Sequence, residues 1–459
     1  MLSRVTLLLS VCLVSGVVAA APAVHEYTLD NGMKLVVKED HRAPVVVSQV
    51  WYKVGSSYER DGFTGISHVL EHMMFKGTKK HGPGEFSRII AENGGRENAF
   101  TSRDYTAYFQ SLEKNRLPIS FELEADRMRN LRLDTTEFAK EVKVVMEERR
   151  LRTEDSAQAL TYEQFNAVAY LNSPYRTPII GWMNDLENLQ AGDLEQWYRQ
   201  WYAPNNAVLV VAGDVDPRAV QKLAQQHFGS LDVSKVEPPK PRREVEQRGL
   251  RRLVVKAPAE VPYLMMGYKV PALSTAQADW EPYALEVLAG ILDGGDSARF
   301  TRELIRGKQI AVAAGAGYDL YDRQESLLLL DGSPANGHDI AALESALRAQ
   351  IAQLREKPVA VDELERVKAQ VLADHVYQED SVFYQAMRIG TLESVGLGWQ
   401  RLDEYLPRVQ AVTAKQVQEV ARKYLVDDRL TIAVLEPQPM DAATRARTAA
   451  AAQGAGHGH

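Results

Sequence analysis

The sequence predicts an α+β chain of two homologous domains, each a mainly antiparallel sheet with helices packed on one face. Three observations predict it. Apolar segments recur in the same order at a nearly constant offset. Each copy runs strand, strand, long helical middle, strand. A charged stretch rich in proline separates the copies.

The repeats are short but ordered. Leu35-Val36-Val37-Lys38 recurs as Leu253-Val254-Val255-Lys256, an offset of 218 between Leu35 and Leu253. Tyr52-Lys53-Val54 recurs as Tyr268-Lys269-Val270, an offset of 216 between the tyrosines. Both pairs sit in apolar, β-branched stretches that read as strands. A helical run ending at Tyr202 leads into Ala207-Val208-Leu209-Val210-Val211, and one ending at Tyr424 leads into Leu430 to Leu435, an offset of 222 between Tyr202 and Tyr424. Any one pair could be chance; three in one order at one spacing point to duplication.

Taken in order, residues 1–20 read as a secretory signal. Arg4 is the positive head, Val5 to Val18 the apolar stretch, and Val18-Ala19-Ala20 a small-residue cleavage site. The apolar run is short for a membrane span, which disfavours an uncleaved anchor. Residues 21–236 form the first domain. Residues 237–250, opening Glu237-Pro238-Pro239-Lys240-Pro241, form an extended linker. Residues 251–440 form the second domain. Residues 441–459, rich in Ala and Gly and ending Gly456-His457-Gly458-His459, read as a disordered tail.

Composition removes several classes. The 459 residues are 45% hydrophobic and 25% charged, the balance of a folded globular protein. The formal net charge of −7 argues against nucleic acid as a partner. The single cysteine, Cys12, lies in the signal segment, so the mature chain has no disulfide and no cysteine nucleophile. No later segment is apolar for long enough to span a bilayer, and no G-x-S-x-G elbow marks a serine hydrolase. The expected setting is export to a bacterial periplasm.

One motif carries chemistry. His68-Val69-Leu70-Glu71-His72 is H-x-x-E-H. On a helix, positions i and i+4 put both imidazoles on one face, and Glu71 at i+3 shares it. Two neutral imidazoles suit Zn²⁺, and an adjacent carboxylate can deprotonate water that the metal activates. The string matches the inverted zinc-protease motif, although a helix can also carry such a pair without metal. A catalytic zinc needs a third protein ligand. The charged run Phe138 to Arg152 offers Glu141, Glu147 and Glu148. Glu141 and Glu148, seven apart, share a helical face, and Glu147 points about 100° away from Glu148. Spacing alone fits a solvated charged helix better than a ligand helix.

The motif and its surroundings resemble the pitrilysin/insulinase family of zinc metallopeptidases. HVLEHMMFKGT (His68 to Thr78) resembles that family's active-site helix, and NGGRENAFTSRDYTAYF (Asn93 to Phe109) its next signature. EVKVVMEERR (Glu141 to Arg150) is similar to its E-x-x-x-V-x-x-E segment, and SPYRTPIIGW (Ser173 to Trp182) to a stretch of the bacterial branch. The two-domain branch that includes mitochondrial processing peptidase and its bacterial relatives is the nearest in pattern. The resemblance implies one zinc per chain, with His68, His72 and Glu148 as ligands and Glu147 as the rival for the third place. It implies Glu141 behind the ligands, orienting an imidazole. It implies Glu71 as the general base of peptide hydrolysis, and Asn98 and Ala99 holding the substrate backbone against a sheet edge. Read from the residues alone, Asn98 is also a plausible turn residue after Gly94-Gly95.

The second half departs from the family pattern. It has no H-x-x-E-H. Where self-sufficient members carry an arginine and a tyrosine seven apart, this chain has Ile305 and Val312. Arg306 pairs only with Ala313 at that spacing, and Tyr318 lies further on. Leu292 to Arg299 reads as a loop before a helix and lacks the lysine of a phosphate loop. The resemblance therefore implies a partner: a homologous chain without the zinc motif that supplies the missing pair in a heterodimer, or else a homodimer. The leading expectation is an exported zinc endopeptidase acting on extended or unfolded peptides. The competing one is a non-catalytic scaffold or binding subunit of the same fold.

Overall fold

The computed structural model describes residues 24–441. The predicted signal segment and all of the predicted tail but Asp441 lie outside the described residues. The first half forms a six-stranded sheet ordered β1-β2-β6-β3-β5-β4. Its strands are β1 (Val24–Thr28), β2 (Lys34–Glu39), β3 (Val45–Tyr52), β4 (Arg96–Thr101), β5 (Thr106–Glu113) and β6 (Ala207–Gly213). The second half forms a five-stranded sheet ordered β7-β11-β8-β10-β9. Those strands are β7 (Arg251–Pro258), β8 (Tyr263–Val270), β9 (Ala311–Gly317), β10 (Ser326–Pro334) and β11 (Leu430–Gln438). Every pair is antiparallel except β2 with β6 and β7 with β11. Omitting β1, the two orders superimpose strand for strand, so the duplication read from three short repeats extends over the whole sheet.

Helices of each half cover one face of its own sheet, as expected. Strand alternation sends Leu35, Val37, Val50, Leu209 and Val211 into the first core. Leu264, Met266, Leu328, Leu330 and Ile432 enter the second. The expectation of one covered face stops short of the structure at the opposite face. Ala207–Gly213 is buried along its whole length, the signature of a strand enclosed on both sides. Val36, Val47, Trp51, Val208 and Val210 pack on that second face against Ala386 and Ile389 of the helix Val382–Ser394, which belongs to the second half. In return, Phe165 and Ala169 of the helix Ala157–Ala169 pack on Met265, Leu327 and Ala433 of the second sheet. Each half thus lends one helix of 13 residues to the other's sheet.

The segment 229–250 holds no regular element. It is nevertheless tied down: Glu244 accepts from the Lys269 ammonium at 2.5 Å and from the backbone N–H groups of Leu171, Asn172 and Ser173.

Candidate active site

The helix Ile66–Met73 carries the motif. Its start is sharply specified. Gly65 has φ of 87°, and a Cβ there would lie 2.6 Å from the Ile180 carbonyl oxygen, so only glycine fits. The buried Glu59 carboxylate accepts from the N–H groups of Gly65 and Ser67, each at 2.8 Å, which satisfies donors the first turn leaves free. The apolar side of the helix, Val69, Leu70 and Met73, locks into the first core. The polar side then presents His68, Glu71 and His72.

The helix Thr135–Arg149 supplies the carboxylates. Asp134 caps it by accepting from Thr136 and Glu137. Phe138, Val142 and Val145 bury one side of it. That phase turns Glu141 and Glu148 toward the motif, while Glu147 faces solvent with its side chain 64% exposed and paired with Arg150. The helix runs on into a π-helical turn, Arg150–Glu154.

One ligand atom from each of His68, His72 and Glu148 falls within 4.8 Å of the others. Glu148 lies 3.3 Å from His72 Nε2 and 3.8 Å from His68 Nε2. Donors around a tetrahedral zinc stand roughly 3.3 Å apart, as bond lengths near 2 Å require. Glu141 sits behind this cluster, 3.4 Å from His72 Nδ1, with its other oxygen 2.7 Å from the Lys76 ammonium. A carboxylate at Nδ1 fixes the tautomer that leaves Nε2 as the ligand atom.

Electrostatics fit a cation. Burial, with the neighbouring His72, pulls His68 down to about 4, so its imidazole is neutral at pH 7 and free to ligate. Its Nδ1 is buried without a hydrogen-bond partner among the described residues. Burial also works against a charged His72, but the Glu148, Glu71 and Glu141 carboxylates together outweigh it and raise the pKa. Burial would raise Glu148; its hydrogen bond to His72 and the charges of His68 and Arg152 hold it below the usual range. Arg152 reaches Glu148 at 2.7 Å. Glu71 is raised by burial, only partly offset by a hydrogen bond from Thr101. Two imidazoles and a carboxylate, converging with the right separations, form a zinc-type donor set.

The site opens on a cavity of about 940 Å³. Its floor is β4, the edge strand of the first sheet. Asn98 is exposed on that strand, paired with Phe109 in register and not in a turn. Its Oδ1 accepts from the Ala99 N–H at 2.9 Å. Among the described residues no strand pairs with the outer side of β4. The second half adds Asp319, Tyr321, Asp322, Phe383, Tyr384 and Met387 to the cavity wall. Ile305 and Val312 are not part of that wall. Ile305 packs against the second core, and Val312 on β9 is 61% exposed. Tyr318 is engaged elsewhere, donating to the Pro271 carbonyl at 2.6 Å.

Thr101 and the cavity residues of the second half escaped the sequence reading. Thr101 stands inside the NAFT string, but nothing in one sequence tells a ladder threonine from one facing a carboxylate.

A duplicated α+β pair, with an inverted histidine motif on one helix and a carboxylate delivered by a later one, defines the insulinase class of metallopeptidase. Family models agree: "Insulinase (Peptidase family M16)" matches residues 34–181 and "Peptidase M16 inactive domain" matches residues 188–371. The chain is 33% identical over 422 residues to the zinc protease PqqE of Helicobacter pylori, covering 91% of this chain and 93% of that one. It is 26% identical over 414 residues to the uncharacterized zinc protease YmxG of Bacillus subtilis, covering 90% and 98%. The crystal structure of a protease from Helicobacter pylori superposes with a TM-score of 0.86 at 32% identity, covering 91% of this chain and all of that one. The first half of the periplasmic protease PqqL from Escherichia coli shares the fold, with a TM-score of 0.76 at 20% identity. The chain belongs to the pitrilysin/insulinase family of peptidases, family M16. Among the described residues, no helix is long and apolar enough to cross a membrane.

Proposed function

We propose that this chain is an exported, zinc-dependent endopeptidase that cuts extended or unfolded peptides. The convergence of His68, His72 and Glu148 beside Glu71 and an open strand edge carries the proposal. His68, His72 and Glu148 hold the metal, one per chain, and Glu141 orients His72. Zinc bound there supplies a Lewis acid that acidifies an attacking water and polarises the scissile carbonyl. Glu71 accepts the proton of the attacking water and delivers it to the leaving amine. Burial raises its carboxyl pKa, which makes the carboxylate a stronger base for the first of those steps. Asn98 and Ala99 receive the peptide as an added strand, which ties affinity to backbone shape and not to side-chain identity.

A second, related chain completes the site by supplying the arginine and tyrosine that Ile305 and Val312 do not. Residues 1–20 direct export and are removed. Residues 21–236 and 251–440 act as two domains joined by the 237–250 linker. The test is cleavage of a mixed pool of unstructured peptides by the purified chain with zinc, beside Glu71→Gln. Cleavage abolished by the substitution supports the base and metal assignment. Zinc at one per chain without cleavage points to the missing partner. Neither zinc nor cleavage overturns the reading in favour of a scaffold.

A further inference from the structure

Glu71 stands on a helix between two imidazoles with three rotatable bonds of its own. A general base works only if one carboxylate oxygen is held toward the proton it takes, and a misplacement of ~1 Å can cost about 10²-fold in rate. Neither His68 nor His72 hydrogen-bonds Glu71. Among the described residues the group that does is Thr101, whose Oγ1 donates to Glu71 Oε2 at 2.5 Å. Thr101 is the last residue of β4 and pairs with Thr106 of β5. The hairpin closes directly after it, with the Ser102 N–H donating to the Tyr105 carbonyl at 2.8 Å. The hydroxyl is thus held by a paired strand and a tight turn, not by a mobile loop.

Two consequences follow from this placement. A donor on Oε2 leaves Oε1 as the oxygen free to receive a proton. The donor also belongs to the same strand as Asn98 and Ala99, so one rigid element carries both the peptide-receiving edge and the group that aims the base.

We propose that Thr101 is a positioning residue: its hydroxyl orients the Glu71 carboxylate and couples it to the peptide-receiving strand. The proposal rests on the endopeptidase reading above. Thr101→Val removes the hydroxyl while keeping shape and strand propensity; Thr101→Ser keeps the hydroxyl and removes the methyl. Both are compared with wild type and Glu71→Gln on a fluorogenic unstructured peptide, with zinc, by kcat and KM separately. Zinc per chain and thermal midpoint are measured alongside.

The expected result for Thr101→Val is a kcat at least ~10-fold lower, with KM within about threefold. Its zinc content and midpoint stay at wild-type values. Thr101→Ser is expected to retain kcat within about threefold. An unchanged kcat in Thr101→Val overturns the proposal. So does a Thr101→Ser as slow as the valine variant, or a loss confined to KM or to zinc content. A zinc-loaded wild type that cleaves nothing points to the missing partner, and the comparison is then made on the assembly with that chain. If wild type and Glu71→Gln cleave at equal, measurable rates, the endopeptidase reading itself has failed and the proposal falls with it. That outcome is distinct from an active wild type with an inert Glu71→Gln and an indifferent Thr101→Val.

Discussion

Gly390 faces the indole of Trp51, and a Cβ at residue 390 would fall inside van der Waals contact of the ring. The glycine sits mid-helix, where it weakens helix propensity, yet it lets the helix Val382–Ser394 lie flat on the first sheet. Gly267 plays the reciprocal part, since a Cβ there would lie 2.5 Å from Phe165 Cζ. An exposed helical Gly→Ala change stabilises by about 1 kcal/mol. Gly390→Ala should do the reverse, destabilising by about 1–3 kcal/mol through overpacking. Thermal unfolding decides the sign.

Glu148 and Glu147 are neighbours with opposite expected phenotypes. Glu148 turns toward both histidines, whereas Glu147 points to solvent and pairs with Arg150. Glu148→Gln should lose stoichiometric zinc, with activity down by about 10²-fold or more, because a neutral amide replaces an anionic ligand. Glu147→Gln should leave zinc content and rate within about twofold, since exposed pairs contribute little. Metal analysis of the two variants side by side checks the helical phase directly.

Arg323 of the second half plugs into the first. Its Nε donates to Asp104 at 2.9 Å, its Nη2 to Ser57 Oγ at 2.8 Å, and its backbone N–H to the Tyr175 hydroxyl at 3.0 Å. Asp104 is 3% exposed and also accepts from Ser57 and Tyr175. Arg323→Ala should cost about 3–5 kcal/mol, mostly by leaving a buried carboxylate without its cation. Adding Asp104→Asn should recover part of that loss. A double-mutant cycle in denaturant measures the coupling, and simple additivity would sink the idea of a latch.

Three kinds of information were legible in the sequence to different depths. The strand repeats were visible because buried strands keep apolar runs such as Ala207 to Val211. The motif helix was visible because H-x-x-E-H has a fixed period, and the same period separates Glu148 from Glu147. The exchanged helices were not, because the contact of Phe165 with Gly267 joins residues 102 apart and leaves no local pattern. Asn98 was ambiguous because Gly94-Gly95 upstream signals a turn; pairing with Phe109 overrides it. Thr101 and the wall of Asp319 to Asp322 were hidden for the same reason as the exchange.

Glu286 gives the second half of the fold a pH signature of its own. Burial pushes it up to about 7, against an opposing hydrogen bond from Tyr405 at 2.8 Å, and its Oε2 is buried without a hydrogen-bond partner among the described residues. A raised carboxyl pKa means that the folded state binds the proton more tightly than the unfolded chain. The stabilisation is therefore full below about 4.5 and is lost as pH rises through about 7. Glu286→Gln, neutral at every pH, should flatten the stability profile between pH 5 and 8 relative to wild type by about 2–3 kcal/mol. Unfolding midpoints of both proteins across that range test it; parallel profiles would refute the assignment.

The β4 edge makes a prediction about substrate and not about the protein. In an antiparallel ladder only alternate residues point their N–H and C=O groups at the neighbouring strand. The Ala99 N–H is one of β4's outward groups, since it bonds the Asn98 side chain and not β5. A docked peptide carbonyl would replace that side-chain oxygen at little net cost, because one acceptor is exchanged for another. Peptides carrying a single N-methyl group, stepped along the sequence near the cut, should therefore show an every-second-residue pattern. Where the amide faces β4, KM should rise by about tenfold, the loss of one hydrogen bond plus a clash; at the intervening residues it should barely change. Asn98→Ala should change KM modestly and preserve the alternation, because the ladder belongs to the backbone. A flat N-methyl scan would mean that the substrate does not bind as a strand.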